Sequence, residues 1–457
     1  MEFKTIMNGQ DVRNRIESLQ PKLNAVVSMM DEAETCEGKL KGVAVALKDN
    51  INTKGVRTTA SSRILDTYVP VYDATIVQKL KAAGADLVCK ASMDELGMGG
   101  TNKNAYTGPV HNPYDLSRIA GGSSGGSAVL VASDCVPLAI GTDTGDSVRK
   151  PASYNGVVGV KPTYGRISRF GIIPYASSLD HVGYFTTNVK DAALALEVLA
   201  GRDDHDMTSS TRLVEEYSKN LDGTLKGKKI AVLKNVIDAL KNEELKKAFL
   251  AFVEKVKEAG AQVVEVEMPQ QYLDLIAPVY KTIANAEATA NHSNLDGLRF
   301  GCREDGESVE EVMTNSRTKG FSSYVRERFV IGSYSLFDEN QDRLFRKAQK
   351  IRRLIVDSYR ACFEGVDGIL CIAAADVAPK IDESMNLGDC GSSFVDEHMQ
   401  LANFSGYPSI TLPLSFIDGL PVGMNLTCLP FEEQLMFDLA KGLENLTGLA
   451  GHVQKEV

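Results

Sequence analysis

The chain has 457 residues, with 50 Lys+Arg against 60 Asp+Glu, 43% apolar residues, 39 glycines and no tryptophan. A chain this long buries a large core without disulfide or metal staples, and its composition is neither disordered nor fibrous. The net charge of −10 argues against a direct, non-specific grip on a polyphosphate, which needs clustered Lys and Arg, though a partner could still hold nucleic acid.

Taken in order, Met1–Gln10 is polar and lacks the apolar stretch of a signal peptide. No apolar run approaches the roughly 18 residues of a membrane span. The eight cysteines are scattered at 36, 89, 135, 302, 362, 371, 390 and 428, none in a CxxC. That spacing does not suit zinc, and no metal is expected. The cysteines read as buried apolar thiols of a cytoplasmic protein.

Alternating apolar runs and amphipathic segments predict a layered α/β fold. Val43–Leu47 reads as a strand, then a helix over Ala74–Ala83 capped by Asp73 and ended by Gly84, then the strand Asp86–Cys89. Ser124–Ser133 is small and apolar enough for a buried helix, and Val136–Ile140 is a strand entering the Gly-rich loop Gly141–Ser147. Val157–Val160 is a further strand and Lys190–Ala200 a helix closed by Gly201. Polar Gly201–Gly227 reads as a connection. Beyond it come strands Lys229–Leu233 and Gln262–Glu267 around helix Glu243–Ala259, a helical tract Glu339–Phe363, and strand Gly368–Ile372. Strands Ser409–Leu414 and Val422–Leu426 precede a last helix, Glu432–Leu446. Length alone suggests about three domains. The elements instead predict one α/β domain over 1–457, with the polar connection inside it.

Two stretches carry chemistry: Gly121-Gly122-Ser123-Ser124-Gly125-Gly126-Ser127 and Gly141-Thr142-Asp143-Thr144-Gly145-Asp146-Ser147. Glycines let a backbone take strained conformations and let ligand atoms approach its amides. The first stretch fits G-x-S-x-G, but a nucleophile elbow needs a strand directly before it, and Asn112-Pro113-Tyr114-Asp115 is turn chemistry. Asp143-Thr144-Gly145 resembles an aspartic-protease loop, yet the paired carboxylate that this chemistry needs has no second D-[ST]-G to supply it. Neither loop has the lysine of a phosphate cradle. Serine nucleophilic catalysis remains, and a serine needs a base. None of the six histidines lies in an apolar motif. Lys48, ending Val43-Ala44-Val45-Ala46-Leu47, is the candidate base, because burial favours neutral lysine.

Together these residues resemble the amidase signature family. Lys48 lies 75 residues before Ser123, and Ser147 lies 24 after it. Asp49–Lys54, Met93-Asp94-Glu95, Asn112-Pro113, Lys161-Pro162-Thr163-Tyr164-Gly165-Arg166 and Ala176-Ser177-Ser178-Leu179-Asp180 resemble the branch that forms glutaminase subunits of tRNA-dependent amidotransferases. The resemblance implies a three-layer α/β/α fold around a large mixed sheet, covered by helices on both faces. It implies Ser147 as nucleophile, Ser123 on a cis peptide as proton relay and Lys48 as base. The oxyanion would rest on the amides of Thr144, Gly145, Asp146 and Ser147, with Ser124 merely starting the buried helix. By position in the family pattern, Arg352 would take the carboxylate of glutamine and Asp396 its ammonium. The implied partners are the B and C subunits of a heterotrimer. One partner uses ATP and Mg²⁺ and holds the tRNA, so this chain needs no cofactor of its own. Asp146 stands where a glycine is expected and Cys302 where a tyrosine is expected. The stretch before Lys48 is shorter than expected and the C-terminus looks trimmed. The alternatives are a stand-alone amidase and a non-catalytic scaffold protein.

Overall fold

The computed structural model describes residues 9–32, 36–383 and 393–457. Its centre is an 11-stranded mixed sheet. The strands are β1 (Val26–Met29), β2 (Ala44–Lys48), β3 (Asp86–Ala91), β6 (Leu138–Asp143), β7 (Val158–Lys161), β8 (His181–Thr186), β9 (Lys229–Leu233), β10 (Gln262–Val266), β11 (Gly368–Ile372), β12 (Ser409–Ile417) and β13 (Leu420–Thr427). The spatial order is β1-β3-β2-β6-β8-β7-β12-β13-β11-β9-β10. Strands β4 (His111–Asn112) and β5 (Asp115–Ile119) pair apart from it as a small hairpin. β2 runs parallel to both β3 and β6, and β8 lies antiparallel between β6 and β7.

Successive side chains of a strand point to opposite faces, and β2 shows that both faces are covered. Val45 and Leu47 enter the larger apolar core, with helices Thr75–Ala82, Val189–Leu199 and Glu433–Thr447. Ala44 and Ala46 enter a second core, with helices Gly9–Leu23 and Gly125–Ala132. A strand buried on both sides reads as a continuous apolar run, which is how Val43–Leu47 reads. The second core is built largely of small residues, including Ala44, Ala46, Ala128, Ala132 and Ala139. Helix Gly125–Ala132 therefore lies close against the sheet. A Cβ at Gly126 would come within 2.5 Å of the carbonyl oxygens of Ala25 and Ser92, so only glycine fits.

The strand after the first Gly/Ser stretch runs through Asp143 rather than ending at Ile140, so half of the expected loop is sheet. Asp73 does not cap its helix. Its carboxylate accepts the Lys54 amide at 2.8 Å and pairs with Lys81 at 2.7 Å instead. The tract Glu339–Phe363 is divided by a π turn, Asp342–Arg346, ahead of helix Lys347–Ala361. A short strand, β5, does precede Gly121, but it belongs to the separate hairpin. Cys36 is exposed and Cys302 half-buried, unlike the buried Cys89, Cys135, Cys362, Cys371 and Cys428, and Cys390 lies outside the described residues. Among the described residues no helix is long and apolar enough to cross a membrane.

Residues 201–227 carry neither helix nor strand. They are tied down from the Lys161–Arg166 motif, where the Arg166 guanidinium donates to the carbonyls of Arg212 at 2.9 Å and Leu213 at 2.7 Å. Asp203 accepts the Ser168 hydroxyl at 2.6 Å.

Candidate active site

Lys48 ends β2 on the same face as Ala44 and Ala46, the face covered by helix Gly125–Ala132. The loop that enters this helix therefore arrives at its ammonium. Nζ lies 2.8 Å from Ser123 Oγ, 2.8 Å from Ser124 Oγ and 3.3 Å from the Thr142 carbonyl. Lys48 is 0% exposed, and among the described residues no carboxylate lies within ion-pairing distance. Burial lowers its pKa to about 7, against the opposing pull of Asp94, Asp143 and Asp180.

The Gly122–Ser123 peptide bond is cis. Ser123 is buried, and its carbonyl accepts the Asp94 amide at 3.1 Å. Ser124 does more than start the helix. It accepts from Lys48, and its hydroxyl donates to the Thr142 carbonyl at 3.0 Å. Its amide donates to the Ser147 carbonyl at 3.2 Å, which stitches the two Gly/Ser loops together. Asp94 lies beneath the first loop and accepts the Asn102 amide at 3.0 Å. Burial raises its pKa to about 7. A Cβ at Gly122 would lie 1.9 Å from Asp94 Oδ2 and 2.8 Å from the amides of Thr101 and Asn102. Gly122→Ala is therefore expected to displace Ser123 and to lower turnover about 100-fold, the scale of a 1 Å misplacement. Amide-hydrolysis kinetics check this, and turnover within threefold of the parent would refute it.

The second loop turns from β6 into helix Arg149–Asn155. Asp143 accepts the Val148 amide at 3.0 Å and two guanidinium bonds from Arg149, at 3.0 and 2.9 Å. Burial would raise the Asp143 carboxyl, but Arg149 holds it well below the usual carboxylate range. Arg149 also donates to the Gly145 carbonyl at 2.8 Å, the Met399 carbonyl at 2.8 Å and Asn403 Oδ1 at 2.6 Å. Because the peptide is planar, the Gly145 carbonyl facing Arg149 sends the Asp146 amide the other way. The amides of Thr144, Gly145, Asp146 and Ser147 donate to no protein acceptor among the described residues. Free amides grouped beside a serine can receive a developing oxyanion. The Thr144 hydroxyl donates to Asp180 at 2.7 Å, so the Ala176–Asp180 motif braces this loop.

The Asp146 carboxylate turns to Lys150, one helical turn on, at 2.9 Å. Burial pushes its pKa up to about 6, with Lys150 opposing. The Lys150 ammonium also donates to the Asp396 carbonyl at 3.0 Å. Asp396 is half-buried and accepts the Ser393 hydroxyl at 3.2 Å. The other proposed anchor, Arg352, donates to Ser178 Oγ at 2.9 Å and to the Phe404 carbonyl at 3.1 and 2.9 Å. Both predicted anchors thus reach groups that brace the second loop, Asp396 through Lys150 and Arg352 through the Ala176–Asp180 motif. Cys302 sits elsewhere. Its thiol donates to the Arg63 carbonyl at 3.3 Å, and its amide donates to Ile64 at 2.7 Å.

A cavity of about 230 Å³, lined by Gly97, Thr142, Arg169, Tyr175, Asp180 and His181 among others, adjoins these groups. A Cβ on Gly97 would be 4.0 Å from Ser123 Oγ, which puts the cavity wall beside the relay serine. Sequence reading singled out neither Asp94 nor the Asp143–Arg149 and Asp146–Lys150 pairs as parts of a site. The one signal was the i, i+4 spacing of Asp146 and Lys150.

The fold and the two joined Gly/Ser loops define a member of the Amidase family, and the chain belongs to it: the family model matches residues 10–437. The chain is 39% identical over 444 residues to the A subunit of glutamyl-tRNA(Gln) amidotransferase from Lactobacillus acidophilus, covering 95% of this chain and 92% of that one. It is 40% identical over 435 residues to the protein of the same name from Koribacter versatilis, covering 95% and 89%. Among solved structures, the A subunit of glutamyl-tRNA(Gln) amidotransferase from Thermotoga maritima superposes with a TM-score of 0.82 at 36% identity, covering 96% of this chain and 90% of that one. The native peptide amidase of Stenotrophomonas maltophilia gives 0.79 at 28% identity, covering 98% and 94%.

Proposed function

We propose that the chain is the glutaminase subunit of a tRNA-dependent amidotransferase, using Ser147, Ser123 and Lys48. The observation that carries this reading is Lys48: buried, without a carboxylate partner, 2.8 Å from Ser123 Oγ, and with its pKa lowered to about 7. A lysine in that state is half neutral near neutral pH and can act as a base. Ser147 attacks the side-chain carbonyl carbon of glutamine and passes its proton through Ser123 to Lys48. The oxyanion takes hydrogen bonds from the free amides of Thr144, Gly145, Asp146 and Ser147. The same relay returns the proton to the amide nitrogen, ammonia leaves, and water hydrolyses the glutamyl ester to glutamate.

Glutamine is a zwitterion, for which a planar guanidinium and a carboxylate are apt partners. Arg352 takes the α-carboxylate by giving up part of its present bonding to backbone carbonyls, and Asp396 takes the α-ammonium. The names of the relatives support assembly with further proteins, the B and C subunits. One of these activates the tRNA-bound glutamate with ATP and Mg²⁺ and carries most of the tRNA contact, which suits an acidic chain in the cytoplasm. The chain is read as one domain throughout.

The test is glutamate release from glutamine by the purified chain, alone and with candidate partners, beside Ser147→Ala. Release that Ser147→Ala abolishes, and that partners raise, is the expected result. Turnover of unrelated amides without partners would make it a stand-alone amidase, and no Ser147-dependent release would leave a scaffold protein. Because the base must be neutral, kcat/KM is expected to rise with pH through about 7 and then level off, as a pH–rate profile would show. Asp146→Gly is expected to change kcat by less than about threefold, because the carboxylate already turns to Lys150. A variant many times faster than the parent would show that Asp146 impedes the oxyanion.

A further inference from the structure

We propose that Lys150 is a positioning residue that couples the loop carrying the nucleophile to the segment carrying Asp396, an inference resting on the glutaminase reading for the role of Asp396. Lys150 is 5% exposed, and its ammonium spans two groups that helix Arg149–Asn155 would otherwise leave unconnected. One is the carboxylate of Asp146, the residue immediately before Ser147, at 2.9 Å. The other is the main-chain carbonyl of Asp396, at 3.0 Å. A side chain that holds both fixes the distance between the oxyanion loop and the end of the site assigned to the substrate ammonium.

The electrostatics give Lys150 a second task. Asp146 is faced by the carboxylates of Asp143 and Glu397 and by the ring of Tyr280, besides Lys150 itself. Lys150 is faced by Tyr154 on its own helix, by Asp396 and Glu397, and by the buried imidazole of His398. Arg149 cannot substitute, because its guanidinium is committed to Asp143, Gly145, Met399 and Asn403. Without Lys150, an anion would stand next to the amides that receive the developing oxyanion. The side-chain departure at 146 is therefore tolerated because a cation stands one turn later.

The experiment compares the whole chain, in complex with partners where they raise turnover, as wild type, Lys150→Met, Lys150→Arg and Asp146→Gly/Lys150→Met. Lys150→Met is expected to lower kcat at least about tenfold and to raise KM for glutamine about fivefold. Its activity should fall as pH rises, because Asp146 then ionises without a counter-ion, whereas wild-type activity rises through about 7. The double variant should recover kcat and the wild-type direction of the pH profile but keep the raised KM. Lys150→Arg should stay near wild type on both.

A Lys150→Met variant that changes only thermal stability, or a double variant as slow as the single one, would overturn the proposal. Wild-type turnover of glutamine and its loss in Ser147→Ala test the glutaminase reading separately. If another amide is turned over instead, that reading fails, while kcat, KM and the pH profile on that amide still decide the role of Lys150. Absence of Ser147-dependent turnover on every amide overturns both.

Discussion

Lys48→Met is expected to lower kcat for glutamine hydrolysis by about 10³-fold, within the range of a lost general base, with KM nearly unchanged and no loss of thermal stability. The asymmetry follows from the environment. Lys48 is fully buried with no carboxylate within ion-pairing distance among the described residues, so its charged form is unfavourable in the fold. Methionine keeps the length and apolar volume while removing that cost. What it loses is the proton acceptor 2.8 Å from Ser123 Oγ, and the hydroxyls of Ser123 and Ser124 lose a partner with it. Lys48→Arg should be as inactive, because a guanidinium does not give up its proton near neutral pH. Initial rates of glutamate release and melting curves on the same preparations check both halves. Activity within tenfold of wild type would exclude Lys48 as the base.

The second large effect is structural. Arg149→Met is expected to cost about 3–5 kcal/mol, the penalty for breaking a buried ion pair by removing one partner. Arg149 and Asp143 are both 0% exposed. The guanidinium also satisfies the carbonyls of Gly145 and Met399 and the side chain of Asn403. Removing it strands a carboxylate and several acceptors at once, and it frees the Gly145 peptide whose orientation aims the Asp146 amide. Urea unfolding would show the loss as a lower midpoint. Arg149→Met/Asp143→Asn should recover part of it, because the second change removes the orphaned charge. A loss below about 1 kcal/mol would mean that the pair does not hold the loop.

Much of the sheet could be read from apolar runs because strands such as β2 are buried on both faces and carry no polar alternation. β8 escaped for a related reason. His181-Val182-Gly183-Tyr184-Phe185-Thr186 mixes polar and apolar residues, yet all six positions are buried, so neither a period of two nor a plain apolar run marks it. The π turn at Asp342–Arg346 escaped because charged residues continue through it without glycine or proline. At the site, Lys48, Ser123 and Ser147 were legible through spacing and residue type. Asp94 and Arg149 were not, because their roles depend on which carbonyls and amides the fold brings to them. Asp146 was legible as a departure, and its neutralisation by Lys150 needed coordinates.

The alanine-rich core beneath helix Gly125–Ala132 has a consequence for how this chemistry can change. The reach from Lys48 to Ser123 is set by the thickness of that layer, which works as a spacer between the strand holding the base and the loop holding the relay. Its members bear no reactive group, but an added methyl at Ala46 or Ala128 would lift the helix and open the gap that a proton must cross. Positions chemically silent in the reaction thus hold its tolerance, and the clearance between two inert surfaces becomes part of the catalyst.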